Sequence, residues 1–499
     1  MKLLFVVNEA GEFVELSRVA RKSKEKGHDV AFLFAQPGYV NLRRDRFLCS
    51  KYGFNSYFPG KKIKPSAAEL EYSKKSEGLS DGYVPYSLKQ TSVKETNNFN
   101  AKIFLFLMLL ASFPLYLYDK LLSQKDKLNS NKKNNQPFFY AKVLYKHLNP
   151  DVIVFGQDFP GSVNALLIKL AKKDDVNTVI VPFAVGTTKE MVESLYDKPE
   201  YEVGYSSLNK IAASKYPKWI NYYKGKALLR LKGKSIIGLE ALGLAPQQPW
   251  IPNSSAATKI AVESSSMLEY YKSMGFSEEQ LELTGAAYDD LLHLKESESK
   301  GTEEKLQKIL GLKSDKPILL CAWPTDQYGS RNIPLEFKSY EDLCHAWAAS
   351  LALVRNVTDY QIVIRPHPVT DLDFLKKILK QYKLHKNLTL VDTLEIVSIS
   401  DVFVACVSST LRWAIALGIP SINYDCYCYG YTDFNTGKGT STIESYSEYE
   451  NALLQLCGNQ NTYSESQKEQ RMVAKEWAML DGNSLERITG LLEKLSSER

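Results

Sequence analysis

Cysteine and histidine are scarce in this chain: seven and six among 499 residues. Seven is an odd number, and Cys321 and Cys406 fall inside apolar runs, so Cys49, Cys321, Cys344, Cys406, Cys426, Cys428 and Cys457 read as reduced core residues of a cytoplasmic protein. Cys426 and Cys428 stand in "CYCYGY" without a second cysteine pair or a histidine cluster at ligand spacing, so no structural zinc and no other metal site is expected. The histidines at 28, 147, 293, 345, 367 and 385 form no hydrolytic constellation. No Gly-x-x-x-x-Gly-Lys-Ser/Thr follows a strand, which excludes P-loop chemistry. Charge of one sign is also in short supply. Sixty-three basic against fifty-seven acidic side chains leave a net charge of +6, with no arginine-rich helix, zinc-finger spacing or aromatic RNP-like run, so nucleic acid is not an expected partner. "MKLLFVVNEAGEF" lacks a long apolar core and a small-residue cleavage site, and reads as a first strand rather than a signal peptide.

What is present is the grammar of an α/β protein. Hydrophobic content of 44% with 24% charged residues suits a globular chain, and this length asks for two or three domains. "KLLFVVN", a helical "EFVELSRVARKSKEKG" and "DVAFLFA" form a βαβ opening, with Gly27 where a helix C-terminus is expected. The pattern returns at Asn149–Asp158, a helix, and Asn177–Gly186, again near Ala256 ("TKIAVESSSMLEYYKSMGF", "LELTGAAYDDLL"), and a fourth time from "KPILLCAWPTDQ" to Asp425. Alternation of this kind predicts parallel sheets covered on both faces. Two Rossmann-like, doubly wound domains are expected to face each other across a cleft: residues 1–250 and 251–455, divided at the proline-rich Ala245–Ser255, with C-terminal helices over 456–499 broken at Asp481-Gly482-Asn483.

The candidate site comes from two strand ends. "QIVIRPHP" (Gln361–Pro368) runs from an apolar strand into a loop where Pro366 and Pro368 hold His367 extended beside Arg365. "DVFVACVSSTLRWAIALGIPSINYD" (Asp401–Asp425) runs from a second strand into Ser408, Ser409 and Thr410 at the start of a helix. Open α/β sheets bind ligands at this edge, and hydroxyls and free amides at a helix start favour an anion. Together the two loops suit a phosphate.

Ile103–Tyr118, "IFLFLMLLASFPLYLY", has sixteen residues without a charge, interrupted by Pro114, inside an apolar insertion of about 100–135. It is shorter than the roughly 20 residues of a spanning helix. Two readings stand: a buried helix, or a monotopic segment in peripheral contact with the inner leaflet of the cytoplasmic membrane, flanked by Lys102, Lys120, Lys125, Lys127, Lys132 and Lys133.

The "RPHP" loop, the "SST" helix start and "LTGAAYDDLL" resemble bacterial GT-B glycosyltransferases of capsular and other surface polysaccharides. The His-Pro and Ser-Ser motifs are similar to those of CMP-sialic acid and Kdo transferases, and to those of CDP-glycerol glycerophosphotransferases. The likeness covers mainly Ala256–Asp425. It implies transfer of a sugar, CMP-linked by preference, from a nucleotide-sugar co-substrate to a glycan or lipid-linked acceptor, with no further cofactor. His367, Arg365, Ser408, Ser409 and Thr410 would hold the donor phosphate, and Ala322–Arg331 would line the cleft. Gly285 would allow close backbone approach, and Asp289 is either a helix cap or a ribose ligand. The first domain would supply the acceptor site and a general base, chosen from Glu9, Asp158 and Glu190, all carboxylates at strand ends. Asp158 comes first, although the acidic motif of bacterial sialyltransferases carries two acids before a glycine and "GQD" does not. A UDP-sugar 2-epimerase shares the architecture, but its His-Val-Glu-Ala-Gly-Leu-Arg-like and Gly-Thr-Arg-Pro-Glu-like segments are not in this chain. A non-catalytic assembly protein of the same fold is the alternative outside enzymes.

Overall fold

Both expected strands of the first βαβ block form, because after an exposed Lys2 or Asp29 each is apolar and buried at every following position, as a sheet covered on both faces requires. A computed structural model describes residues 1–35, 42–57, 136–183, 186–297, 300–367, 370–431, 434 and 439–498. The apolar segment Ile103–Tyr118 lies outside them, so neither of its readings is addressed. No helix among the described residues is long and apolar enough to cross a membrane.

The first domain carries β1 (Lys2–Val7), β2 (Asp29–Phe34), β3 (Asn55–Tyr57), β4 (Val152–Phe155) and β5 (Asn177–Ile180), then a hairpin of β6 (Ile220–Tyr223) and β7 (Lys226–Leu229), then β8 (Lys259–Val262) and β9 (Leu281–Leu283). Apart from the antiparallel hairpin these form one parallel sheet in the order β3-β2-β1-β4-β5-β8-β9. The second sheet, also parallel, orders β10 (Ile318–Ala322), β11 (Gln361–Arg365), β12 (Val402–Ala405), β13 (Ser421–Tyr424) and β14 (Thr440–Ile443) as β11-β10-β12-β13-β14.

The sheets do not divide at residue 250. β8 and β9 extend the first sheet to Leu283, in register with β5 through Val179 and Ile180. Ala245–Ser255, read from its prolines as a linker, instead folds into the first domain, where Asn253 N donates to Asp158 O at 3.0 Å. Proline marks a turn here, not a domain boundary.

Of the two C-terminal helices, Gln460–Trp477 packs on the second domain and Ser484–Ser497 on the first. Ile488, Leu491, Leu492 and Leu495 of the latter are buried with Phe5, Phe13 and Val154. Each such side chain contributes roughly 1.5–3 kcal/mol when fully buried. The chain therefore crosses between domains at 478–483, which includes the Asp481-Gly482-Asn483 break between the two helices.

Candidate donor and acceptor edges of the interdomain cleft

Bonds that cross between the domains come from loops following the C-terminal ends of strands in both sheets. Arg331, in the loop after β10, lies 3.5 Å from Asp197 at the end of the helix Thr188–Tyr196, with both side chains buried. Asn332 N donates to the same carboxylate at 2.7 Å, Tyr431 Oη donates to Glu190 O at 3.3 Å, and Arg412 Nη2 to Glu263 O at 3.0 Å. The two C-terminal edges thus face one another, and this is the edge where such sheets bind ligands.

On the second sheet β11 and β12 flank β10, which sets their C-terminal loops two strand spacings apart, about 10 Å. His367 is exposed in the loop after β11. Burial first, and the neighbouring Arg365 cation second, lower its pKa to about 4, so the imidazole stands neutral at pH 7.

Arg365 has a role other than the expected one. Its side chain is buried; Nε donates to Val391 O at 2.7 Å and Nη1 donates to Pro366 O, so it ties β11 to the 391 segment. Its charge is still felt by His367, but two of its donors are spent on backbone.

After β12 the chain enters Val407 at φ +43°, a left-handed conformation that a β-branched residue adopts only when its surroundings enforce it. Val407 N donates to Oδ1 of the fully buried Asn423 at 2.8 Å, which is what holds it. The twist turns Ser408, Ser409 and Thr410 out of the sheet. Ser408 Oγ lies 2.8 Å from Thr410 Oγ1 and accepts from Thr410 N, while the Ser408 and Ser409 amides have no acceptor among the described residues. The helix that follows, Leu411–Ala416, is only six residues long, so hydroxyls and amides rather than a long dipole are what the turn offers.

A tyrosine run, read from the sequence only as a possible metal motif and dismissed, proves structural. Tyr427 Oη donates to Thr325 O and Tyr429 Oη to Gln327 Oε1, each at 2.5 Å, while the Arg331 guanidinium sits 4.4 Å from the Tyr429 ring centroid. Tyr427 and Tyr429 thus brace the 323–331 loop, and Tyr431, stacked on Tyr429, reaches across the cleft to Glu190 O. Their period of two in "YCYGY" was the available signal.

Gly285 and Asp289 do not line the cleft as ligands. Asp289 Oδ2 accepts from Ala286 N at 2.9 Å and Met479 N at 3.0 Å, and Asp290 caps the helix Ser484–Ser497 by accepting from Ser484 N and Leu485 N at 2.7 and 3.0 Å. "TGAAYDD" anchors the returning C-terminus. Gly285 does permit close approach, but of Ser484.

At the first-domain edge Glu9 caps the helix Ala10–Glu25 in a capping box with Glu12, and Glu190 lies in the first turn of the helix Thr188–Tyr196. Asp158 is buried: Oδ2 accepts from Ser255 N at 2.9 Å, its N donates to Asn253 Oδ1 at 2.8 Å, and Oδ1 has no partner among the described residues. Burial raises its pKa to about 6 against the opposing pull of the Ser255 bonds. Sequence reading passed over Glu12, which is fully buried beside Gly156 with Oε2 accepting from Asn8 N and Glu9 N. Burial pushes its pKa to about 8. The folded state therefore holds a proton between roughly pH 4.5 and 8 that the unfolded state releases, and wild-type stability falls as pH rises through that window. Glu12→Gln cannot lose that proton. Urea unfolding is expected to show the variant gaining on wild type from pH 5 to pH 8 by on the order of 3 kcal/mol, and a pH-independent difference would refute the assignment.

No family model matches the chain, and no curated protein matches it. Among solved structures, the wall teichoic acid polymerase TagF, soaked with CDPG, aligns with all of this chain and 89% of its own at 11% identity and a TM-score of 0.50. The UDP-GlcNAc 2-epimerase of Neisseria meningitidis bound to UDP-GlcNAc aligns with 99% of this chain and 100% of its own, at 11% identity and 0.51. The fold is GT-B. S. aureus MnaA in complex with UDP gives the same score and identity over 99% and 96% of the two chains. In a GT-B protein two Rossmann-like domains face across a cleft, which matches the edge-to-edge arrangement here.

Proposed function

We propose that this chain is a glycosyltransferase that moves a sugar from a nucleotide-sugar donor, CMP-linked by preference, to a surface glycan or lipid-linked acceptor. The observation that carries the reading is the placement of His367 and the Ser408-Ser409-Thr410 turn on either side of β10, at the edge facing the other domain. The Ser408 and Ser409 amides and hydroxyls bind the phosphate from one side, and the neutral His367 N–H donates from the other. Charge that develops on the departing nucleotide phosphate is met by these fixed donors, which need no metal ion or other cofactor. The strained Val407 belongs to the same device, since it aims the turn before the ligand arrives.

Asp158 is the proposed base. Its unpartnered Oδ1 and a pKa of about 6 suit proton abstraction near neutrality, once the 253–255 segment uncovers it. An anion beside His367 raises the imidazole pKa above its ligand-free value of about 4, so nucleotide affinity is expected to increase as pH falls below 7.

The likeness to TagF, whose structure was soaked with CDPG, favours a second reading: transfer of glycerol phosphate from a CDP-linked donor. Thermal-shift titration with CMP, CDP, UDP, GDP and ADP tests the first reading and separates it from a UDP-sugar 2-epimerase. A rise selective for cytidine nucleotides is expected in wild type, together with turnover of a cytidine-linked donor. His367→Ala should lose about 100-fold or more in turnover while keeping its ligand-free melting temperature, because one preorganised donor is worth roughly 3–4 kcal/mol at a transition state. Full turnover in that variant would sink the site. Cytidine nucleotide binding with no transfer from any donor would point to the non-catalytic assembly protein.

A further inference from the structure

Arg230 follows β7 at the end of the hairpin, where its N donates to Trp219 O at 3.2 Å. Its guanidinium stands over Phe159, 6.0 Å from the ring centroid, and so over the loop that leaves β4 through Asp158. Glu190, whose carbonyl receives Tyr431 from the second domain, is close enough to act on it electrostatically. Arg230 therefore sits on the first-domain side of the cleft.

Its bonding is what sets it apart. Nε is shielded from solvent and has no hydrogen-bond partner, and the guanidinium makes no ion pair among the described residues. Arg331 and Arg412, which are buried where Arg230 is half-buried, each have a carboxylate partner: Arg331, whose Nε is also unpartnered, has Asp197 and donates to Cys428 O, and Arg412 has Glu263 and donates to Trp477 O. Burial lowers the pKa of Arg230 against the weaker pull of Tyr201 and Glu190, so the site is costly to the free protein. A half-buried guanidinium with a shielded, unpartnered Nε and no counter-ion among the described residues is what an oxyanion ligand completes.

We propose that Arg230 binds one singly charged oxyanion, a phosphodiester or a carboxylate, of the acceptor held against the first domain. A single charge is favoured, because the guanidinium also feels the Glu190 charge, which disfavours a second. The inference rests on reading the first domain as the acceptor side, and it narrows the acceptor to an acidic glycan or a phosphate-containing chain. It also carries a signature that a structural arginine would not give. An arginine that holds the fold together costs stability when removed, whereas a half-buried cation without a counter-ion loses little when replaced by an apolar isostere.

The test is thermal shift on the purified full chain, as wild type, Arg230→Met and Arg230→Lys, with dimethyl phosphate, glucuronate and neutral methyl glucoside at matched ionic strength, and CMP as a separate arm. Wild type is expected to rise with an anionic probe and not with methyl glucoside. A rise with dimethyl phosphate alone assigns a phosphodiester, and one with glucuronate alone assigns a carboxylate. Arg230→Met should bind the probe at least about tenfold more weakly, as loss of a charge-assisted hydrogen bond implies, and melt at or above wild type without ligand. Arg230→Lys should retain part of the response. The proposal is overturned if neither anion shifts wild type, if the response persists in Arg230→Met, or if that variant melts well below wild type. The CMP arm reads the donor site independently, so its loss in wild type would count against the proposed function and not against Arg230.

Discussion

Arg412→Met is expected to cost about 3–5 kcal/mol at pH 7.5, the loss typical of removing one partner from a buried ionic cluster. Arg412 is almost fully buried in the first turn of the helix that follows Ser408-Ser409-Thr410. Nε donates to Trp477 O at 2.8 Å and Nη2 to Glu263 O at 3.0 Å, and Nη1 lies 3.7 Å from Glu263 Oε1. It faces Glu263 after β8 and Asp289 at the start of the helix Asp289–Ser297, and its field extends to Glu15 of the first helix. Neither Glu263 carboxylate oxygen has a hydrogen bond among the described residues, so this guanidinium is what stabilises the charge there. Burial raises the pKa values of Glu263, Asp289 and Glu15, and a nearby arginine, Arg412 for the first two and Arg18 for Glu15, restrains each.

The pH dependence has a definite sign. Without Arg412 the folded-state pKa values of Glu263 and Asp289 rise further, so the variant's deficit is full above them and shrinks as pH falls towards the unfolded carboxyl range of about 4. Urea unfolding at pH 7.5 and pH 5 reads this directly. Glu263→Gln should be milder alone and should restore part of the loss when combined with Arg412→Met, a coupling that a double-mutant cycle measures. A deficit under about 1 kcal/mol, or one that grows in acid, would contradict the account. Because Arg412 also ties the Ser408–Thr410 helix to the first domain, nucleotide affinity should fall in the same variant.

Gly285→Ala should rank second, at about 2–4 kcal/mol, from two additive sources. Its φ of +81° disfavours any side chain. A Cβ would also stand 2.1 Å from Ser484 Oγ, 3.0 Å from Ser484 Cβ and 3.2 Å from Asp289 Oδ2. The collision falls on the first residue of the helix that returns to the first domain, which should detach. Limited proteolysis is expected to cut the variant between residues 478 and 484, where the chain crosses. Ser484→Ala in the same background relieves the contact with Oγ but leaves the backbone cost, so partial recovery is expected. Full recovery, or resistance to proteolysis equal to wild type, would show that the returning helix is not what Gly285 accommodates.

Local pattern was enough to place the strands that build the cleft. Runs such as "LLFVV", "VIVF", "ILLCA" and "VFVA" are apolar at consecutive positions, and only a parallel sheet covered on both faces buries both sides of a strand. His367 and Ser408 could be assigned to one edge for the same reason, since each follows such a strand and all the strands run the same way. Domain membership was not legible. β8 and β9 look like the start of a new βαβ unit, and whether they join the old sheet or a new one depends on strand pairing, a long-range choice that no local pattern encodes. Partners of charged side chains were equally hidden. Arg365 and Asp289 have the right chemistry for ligands, yet tertiary contacts commit them to Val391, Pro366, Ala286 and Met479. Arg230 is the reverse: unremarkable in the chain, and left by packing as a half-buried cation whose Nε has no hydrogen-bond partner among the described residues. Spacing along the chain dictates which face a side chain occupies, whereas its pKa and its freedom to bind follow from which atoms the rest of the molecule brings beside it, and those arrive from up to hundreds of residues away.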